Sequence, residues 1–81
     1  MTTQHIIPLT KLKKGVKAKI VEVSAPRQMV LRLSALGLRP GASLEKISAF
    51  VMRGPITVKV GRATIALGHS MAKKVIVESR A

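Results

Sequence analysis

Between Leu33 and Gly41 the chain reads Leu-Ser-Ala-Leu-Gly-Leu-Arg-Pro-Gly, and this stretch dictates how the rest can be arranged. A helix that stops at Leu36 leaves its last carbonyls without partners. Gly37 can take the left-handed conformation that folds the following N–H groups back onto them, and Leu38 then lands on Leu33, the hydrophobic contact of a Schellman motif. Pro40 can neither donate nor continue a helix, so the chain is redirected after Gly41. Upstream, Ser24-Ala25-Pro26 supplies the start, with Ser24 or Ala25 as the cap and Pro26 inside the first turn, where its missing N–H costs little. Met29, Val30, Leu33 and Leu36 form one apolar stripe over that helix, while Arg27, Gln28, Arg32 and Ser34 fall largely outside it.

After the cap the hydrophobic period changes from helical to two. Strands are expected at about Ser43 to Met52, Ile56 to Val60, Ala63 to Leu67 and Val75 to Glu78, separated by Arg53-Gly54-Pro55, Gly61-Arg62 and a Gly68-His69-Ser70-Met71 turn. Ile56, Val58 and Val60 alternate with Thr57 and Lys59, and Ala63, Ile65 and Leu67 alternate with Thr64, so these two runs read as a hairpin with one buried face. Phe50 reads as a core residue of the preceding strand. Ahead of the helix, Val16 to Val23 is a strand with Val16, Ala18 and Ile20 on one face and Lys17 and Lys19 on the other. Its register breaks at Val21, which predicts a bulge or a bend. Pro8 to Gly15 suits one helical turn packed as a lid. About five short strands with one inserted α-helix and a short N-terminal helical turn favour a mainly β, small closed or nearly closed barrel over a sandwich. No repeat or linker divides the sequence, so residues 1–81 read as one domain.

Composition limits the chemistry. Fifteen Lys and Arg stand against three glutamates, Glu22, Glu45 and Glu78, for a formal net charge of +12. Such a field attracts anionic partners without choosing among nucleic acid, an acidic protein face and an anionic membrane leaflet. Cysteine and tyrosine are absent, so any nucleophile would be a serine or threonine with His5 or His69 as its base. His5 lies in an extended stretch and His69 in a turn, and both read as solvated loop histidines. No catalytic residue, metal site or cofactor is expected. The glycines never fall into a phosphate-cradling spacing. No apolar run approaches the roughly 18–20 residues of a membrane span, and the first residues lack the pattern of a secretory signal, so a soluble cytoplasmic protein is expected.

Lys11, Lys13, Lys14, Lys17 and Lys19 form the densest charge cluster, read either as a solvated outer face or as an anion-facing patch. Specific nucleic-acid binding is not expected. Single-strand readers stack bases on aromatic rings worth about 1–3 kcal/mol each, and Phe50 is the one aromatic residue of the chain. Phosphate-only binding, salt-sensitive and blind to sequence, is what the charge alone permits.

The pattern formed by Pro8-Leu9 and Leu12 before Gly15, Ala18 and Ile20, Arg32-Leu33 with Leu36-Gly37-Leu38 and Pro40-Gly41, Gly54-Pro55, Val58, Val60-Gly61, Ile65-Ala66-Leu67, Ala72 and Ile76-Val77 resembles the bacterial ferrous-iron transport protein A family (FeoA). The resemblance implies an SH3-like barrel and a non-enzymatic cytoplasmic accessory of ferrous-iron uptake. Its implied partner is the membrane iron permease that carries a GTPase domain, met at the inner face of the membrane. Arg32, Leu38, Arg39 and Pro40 are expected to be the exposed docking residues, and Lys11, Lys13, Lys14, Lys17 and Lys19 the contacts to an anionic surface. A similar domain ends iron-dependent repressors, which leaves a basic nucleic-acid-binding or regulator domain as the alternative. Gly68-His69-Ser70-Met71 departs from the family pattern, where more charged residues are expected. Open edge strands on so small a barrel leave room for homo-oligomers.

Overall fold

The computed structural model describes residues 4–49 and 54–80. Six antiparallel strands form one sheet in the order β1-β6-β2-β3-β4-β5. They are β1 (Gln4–Pro8), β2 (Lys17–Val23), β3 (Ser43–Ala49), β4 (Ile56–Val60), β5 (Ala63–Leu67) and β6 (Val75–Arg80). A 3₁₀ turn, Leu9–Lys11, follows β1, helix α1 (Arg27–Ala35) joins β2 to β3, and a single turn, α2 (His69–Ala72), joins β5 to β6. The architecture is mainly β with few helices, as the sequence pattern requires. The expected core position of Phe50 and the far end of the third strand at Met52 lie outside the described residues.

The core is aliphatic, and alternation builds it. Ile20, Leu44, Val58, Val75 and Val77 point inward from four different strands and are at most 2% exposed. Leu33 of α1, Leu38 beyond its cap and Leu9 of the 3₁₀ turn close that cluster from outside the sheet. The register break in β2 is real: Ile20 stands opposite Val77 and Glu22 opposite Ile76, so Val21 is the extra residue of a bulge. Val21 is accordingly exposed, while Val23 returns to the core side. The β4–β5 hairpin pairs from Val60 with Ala63 to Ile56 with Leu67 without a break.

Two elements exceed what local pattern predicts. β1 is strand rather than merely extended, because β6 supplies its whole ladder, from Gln4 opposite Arg80 to Pro8 opposite Ile76. Proline is tolerated there because, among the described residues, β1 is an edge strand that pairs with β6 on one side. The Gly68-His69-Ser70-Met71 segment is a helical turn, closed by an Ala72 N–H donating to the Gly68 carbonyl at 2.9 Å, and it drives Ala72 fully into the core.

Candidate docking surface

Helix α1 begins later than either expected cap, Ser24 or Ala25, allows, with Pro26 itself at the N-cap position and no side-chain capping bond. Its other end is closed by backbone alone. Leu38 N–H donates to the Leu33 carbonyl at 2.9 Å and Gly37 N–H to the Ser34 carbonyl at 2.9 Å, the two bonds of a Schellman motif. Gly37 sits at φ +94°, where a side chain is strained, and a Cβ placed there would meet Val60 Cγ1 at 3.4 Å. The chain then turns through Arg39-Pro40-Gly41-Ala42, with Ala42 N–H donating to the Arg39 carbonyl at 3.0 Å and Gly41 at φ +94°. Proline second and a positive-φ glycine third are the requirements of a type II turn. Reciprocal bonds of 2.8 Å between Gly41 N–H and the Ile20 carbonyl and between Ile20 N–H and the Ala42 carbonyl fix that turn to β2.

This rigid corner displays Arg32, Arg39 and Pro40 on the surface, but Leu38 is fully buried. The expectation that Leu38 is an exposed docking residue is corrected here: the Schellman contact with Leu33 pulls it into the core. Leu36 takes its place outside, 48% exposed although it belongs to the apolar stripe. At i and i+4 on the helix, Arg32 and Leu36 share one face. Leu36, Arg39, Pro40, Val60 and Gly61 line an open groove of about 660 Å³ between the helix end and the β4–β5 turn. Leu31, also exposed, lies beside Arg27 and Arg32. The surface therefore alternates guanidinium with aliphatic groups, and no carboxylate lines the groove.

The five lysines divide into two kinds, although all are exposed. Lys17 stands opposite Glu45 and Lys19 opposite Glu78 in the sheet, and Glu45 in turn faces Lys59 on its other side. Two of the three acids thus sit in cross-strand positions beside those lysines, where opposite charges stabilise the pairing. Lys11, Lys13 and Lys14 lie outside the ladders. Lys11 and Lys13, with His5, rim an apolar hollow of about 410 Å³ floored by Ile7, Leu12 and Val16. His5 is on β1 and His69 on α2, and among the described residues no three His, Cys, Asp or Glu side chains come together.

Lys46 escaped the sequence reading. It lies on β3 and is 4% exposed. Its Nζ donates to the carbonyls of Leu12 at 2.5 Å, Thr10 at 3.2 Å and Leu9 at 3.4 Å. Burial away from water holds its pKa below the ordinary 10.5. The signal available was period two itself, since a strand that puts Leu44 inward also puts Lys46 inward.

The strand order, the helix inserted after β2 and the lidding 3₁₀ turn define a small barrel of the SH3-like class. Residues 7–79 match the model of the FeoA domain, and the chain belongs to that family. Among solved structures it is similar to an iron uptake regulatory protein (FeoA), with 28% identity over 95% of this chain and 100% of the other and a TM-score of 0.84. The FeoA protein from Chlorobium tepidum is 27% identical over 90% of this chain and 70% of that one, with a TM-score of 0.83. A manganese-dependent transcriptional repressor shares the fold, at 22% identity and a TM-score of 0.80, and the match spans 98% of this chain but 43% of the repressor. A comparison with curated protein sequences gives no match.

Proposed function

We propose that this chain is a non-enzymatic accessory of ferrous-iron uptake that docks at the cytoplasmic face of the membrane on the iron permease carrying a GTPase domain, with the whole chain acting as one unit. The observation that carries the reading is the corner after α1, the most specific part of the family pattern. It is rigid in its backbone, cationic and aliphatic on its surface, and placed beside an open groove. Arg32 and Arg39 supply anion contacts, Leu36 and Pro40 the apolar area, and Leu38 holds the corner from beneath. Lys11, Lys13 and Lys14, which have no cross-strand acid, bring the protein to an anionic leaflet, with Lys17 and Lys19 contributing less. Basic residues that reach such a surface are worth about 1 kcal/mol each, fading within a Debye length of about 8 Å.

A pull-down with the permease's cytoplasmic domain at near-physiological salt tests the docking. Retention by the wild type and its loss in Arg32→Glu/Arg39→Glu is the expected result. Failure to retain the wild type, together with tight and salt-insensitive binding to RNA or DNA, would favour a regulator domain of the kind whose fold the repressors share.

A further inference from the structure

The free edge of β5 is the second surface with a definable occupant. We infer that an extended peptide segment alternating acidic and β-branched residues adds to this edge as a seventh strand, apart from the docking corner of α1. Among the described residues β5 ends the sheet order and pairs with β4 alone. Its hairpin closes over two residues, Gly61 and Arg62, with Val60 opposite Ala63. In such a hairpin the flanking pair is hydrogen-bonded, so Ala63, Ile65 and Leu67 turn their backbone groups to β4. Thr64 and Ala66 then point theirs away from the sheet.

Edges are normally blunted by lysine, proline, a bulge or a covering element. β5 reads Ala-Thr-Ile-Ala-Leu, and its register with β4 is unbroken. The opposite edge, β1, carries Pro8. Side chains set the occupant's chemistry. Ile65 is half-buried against the core, leaving room for a β-branched neighbour on the inner face. Thr64 and Ala66 are exposed on the outer face, where Lys59 stands opposite Thr64 and Arg62 begins the edge. Glu45 stands beyond Lys59 on β3, two strands in from this edge, so the charged groups nearest an incoming strand are Arg62 and Lys59, both cationic. A second copy of this chain is disfavoured by long-range repulsion, because each copy carries a net charge of +12.

The test uses a short capped peptide of alternating glutamate and valine, with its lysine–valine counterpart as control. Amide exchange in the wild type should slow at Thr64 and Ala66 when the acidic peptide is added and not when the basic one is. Ala66→Pro removes an outward N–H while sparing the β4 ladder, so it should stay folded and bind the acidic peptide about tenfold more weakly or worse. Arg32→Glu/Arg39→Glu should bind it as the wild type does, which separates this site from the α1 corner. Unchanged exchange at both amides under saturating peptide overturns the inference, whether or not the proline variant folds. So does equal binding of the basic peptide, or a concentration-dependent dimer in sedimentation that Ala66→Pro abolishes.

Discussion

Helix α1 and the 3₁₀ turn after β1 face the same problem, carbonyls left without donors at a C-terminal end, and solve it differently. Helix α1 is closed within its own backbone, by Gly37 and Leu38 folding onto Ser34 and Leu33. The 3₁₀ turn at Leu9–Lys11 has no such glycine; Gly15 lies three residues beyond its C-cap, Leu12, and bonds instead to the Lys46 carbonyl at 2.7 Å. Its carbonyls are satisfied by the Lys46 ammonium, from more than thirty residues away in sequence. The local closure asks for a particular backbone conformation. The long-range closure asks for a buried charge, and it ties the N-terminal segment to β3.

Breaking the long-range closure should have the largest effect. Lys46→Met keeps the aliphatic stem and removes every donor, leaving the carbonyls of Thr10 and Leu12 in an apolar site, while Leu9 still accepts from the Leu12 N–H at 3.1 Å. At 1–3 kcal/mol for each unsatisfied group, less the relief of a desolvated charge, the expected loss is about 2–3 kcal/mol in urea unfolding. An unchanged midpoint would show that water can replace the ammonium. Gly37→Val attacks the local closure and should cost about 1–2 kcal/mol, because a β-branched residue resists positive φ. If the melting temperature stays put, the Schellman geometry is not what holds the corner.

A pH titration sharpens the contrast, because only one of the two closures ionises. The folded-state pKa of Lys46 lies below its ordinary 10.5, so between the two values the unfolded chain binds more protons. Stability contributed at this site therefore rises with pH through that window, and the full cost of burying the charge is present below it. The stability difference between wild type and Lys46→Met should widen on approaching pH 10.5, while that between wild type and Gly37→Val stays flat. A flat difference for both would remove the buried ammonium from the account. The smallest effect is expected on the surface: Lys13→Ala should change stability by less than about 0.5 kcal/mol, and Lys17→Ala by a few tenths more through its place opposite Glu45. Equal values would mean that the cross-strand acids do not distinguish the lysines.

Where structure followed from neighbours in sequence, the residues announced it. The cap at Gly37, the bulge at Val21 and the β4–β5 hairpin each rest on a period or on a conformation that few residues adopt. The docking corner was half legible. Its turn, its arginines and the contact of Leu38 with Leu33 were visible. The expectation that Leu38 is also exposed for docking fails because that contact buries it, and Leu36, which period alone assigns to the apolar stripe, is the leucine left outside. β1 and Lys46 were not legible as elements of the fold. A short edge strand borrows its ladder from β6, and a lysine in an alternating strand looks like any solvated charge until the carbonyls it serves are brought to it.

Alternation of apolar residues, the breakers between them and the conformational freedom of Gly37 and Gly41 were enough to determine a small aliphatic barrel with one inserted helix. Tertiary structure alone decided which charges are alone, which stand beside a carboxylate and which is buried among carbonyls. The reason is range. Backbone preference and periodicity act over a few residues and are written locally, whereas the environment of a charge depends on every segment folded around it.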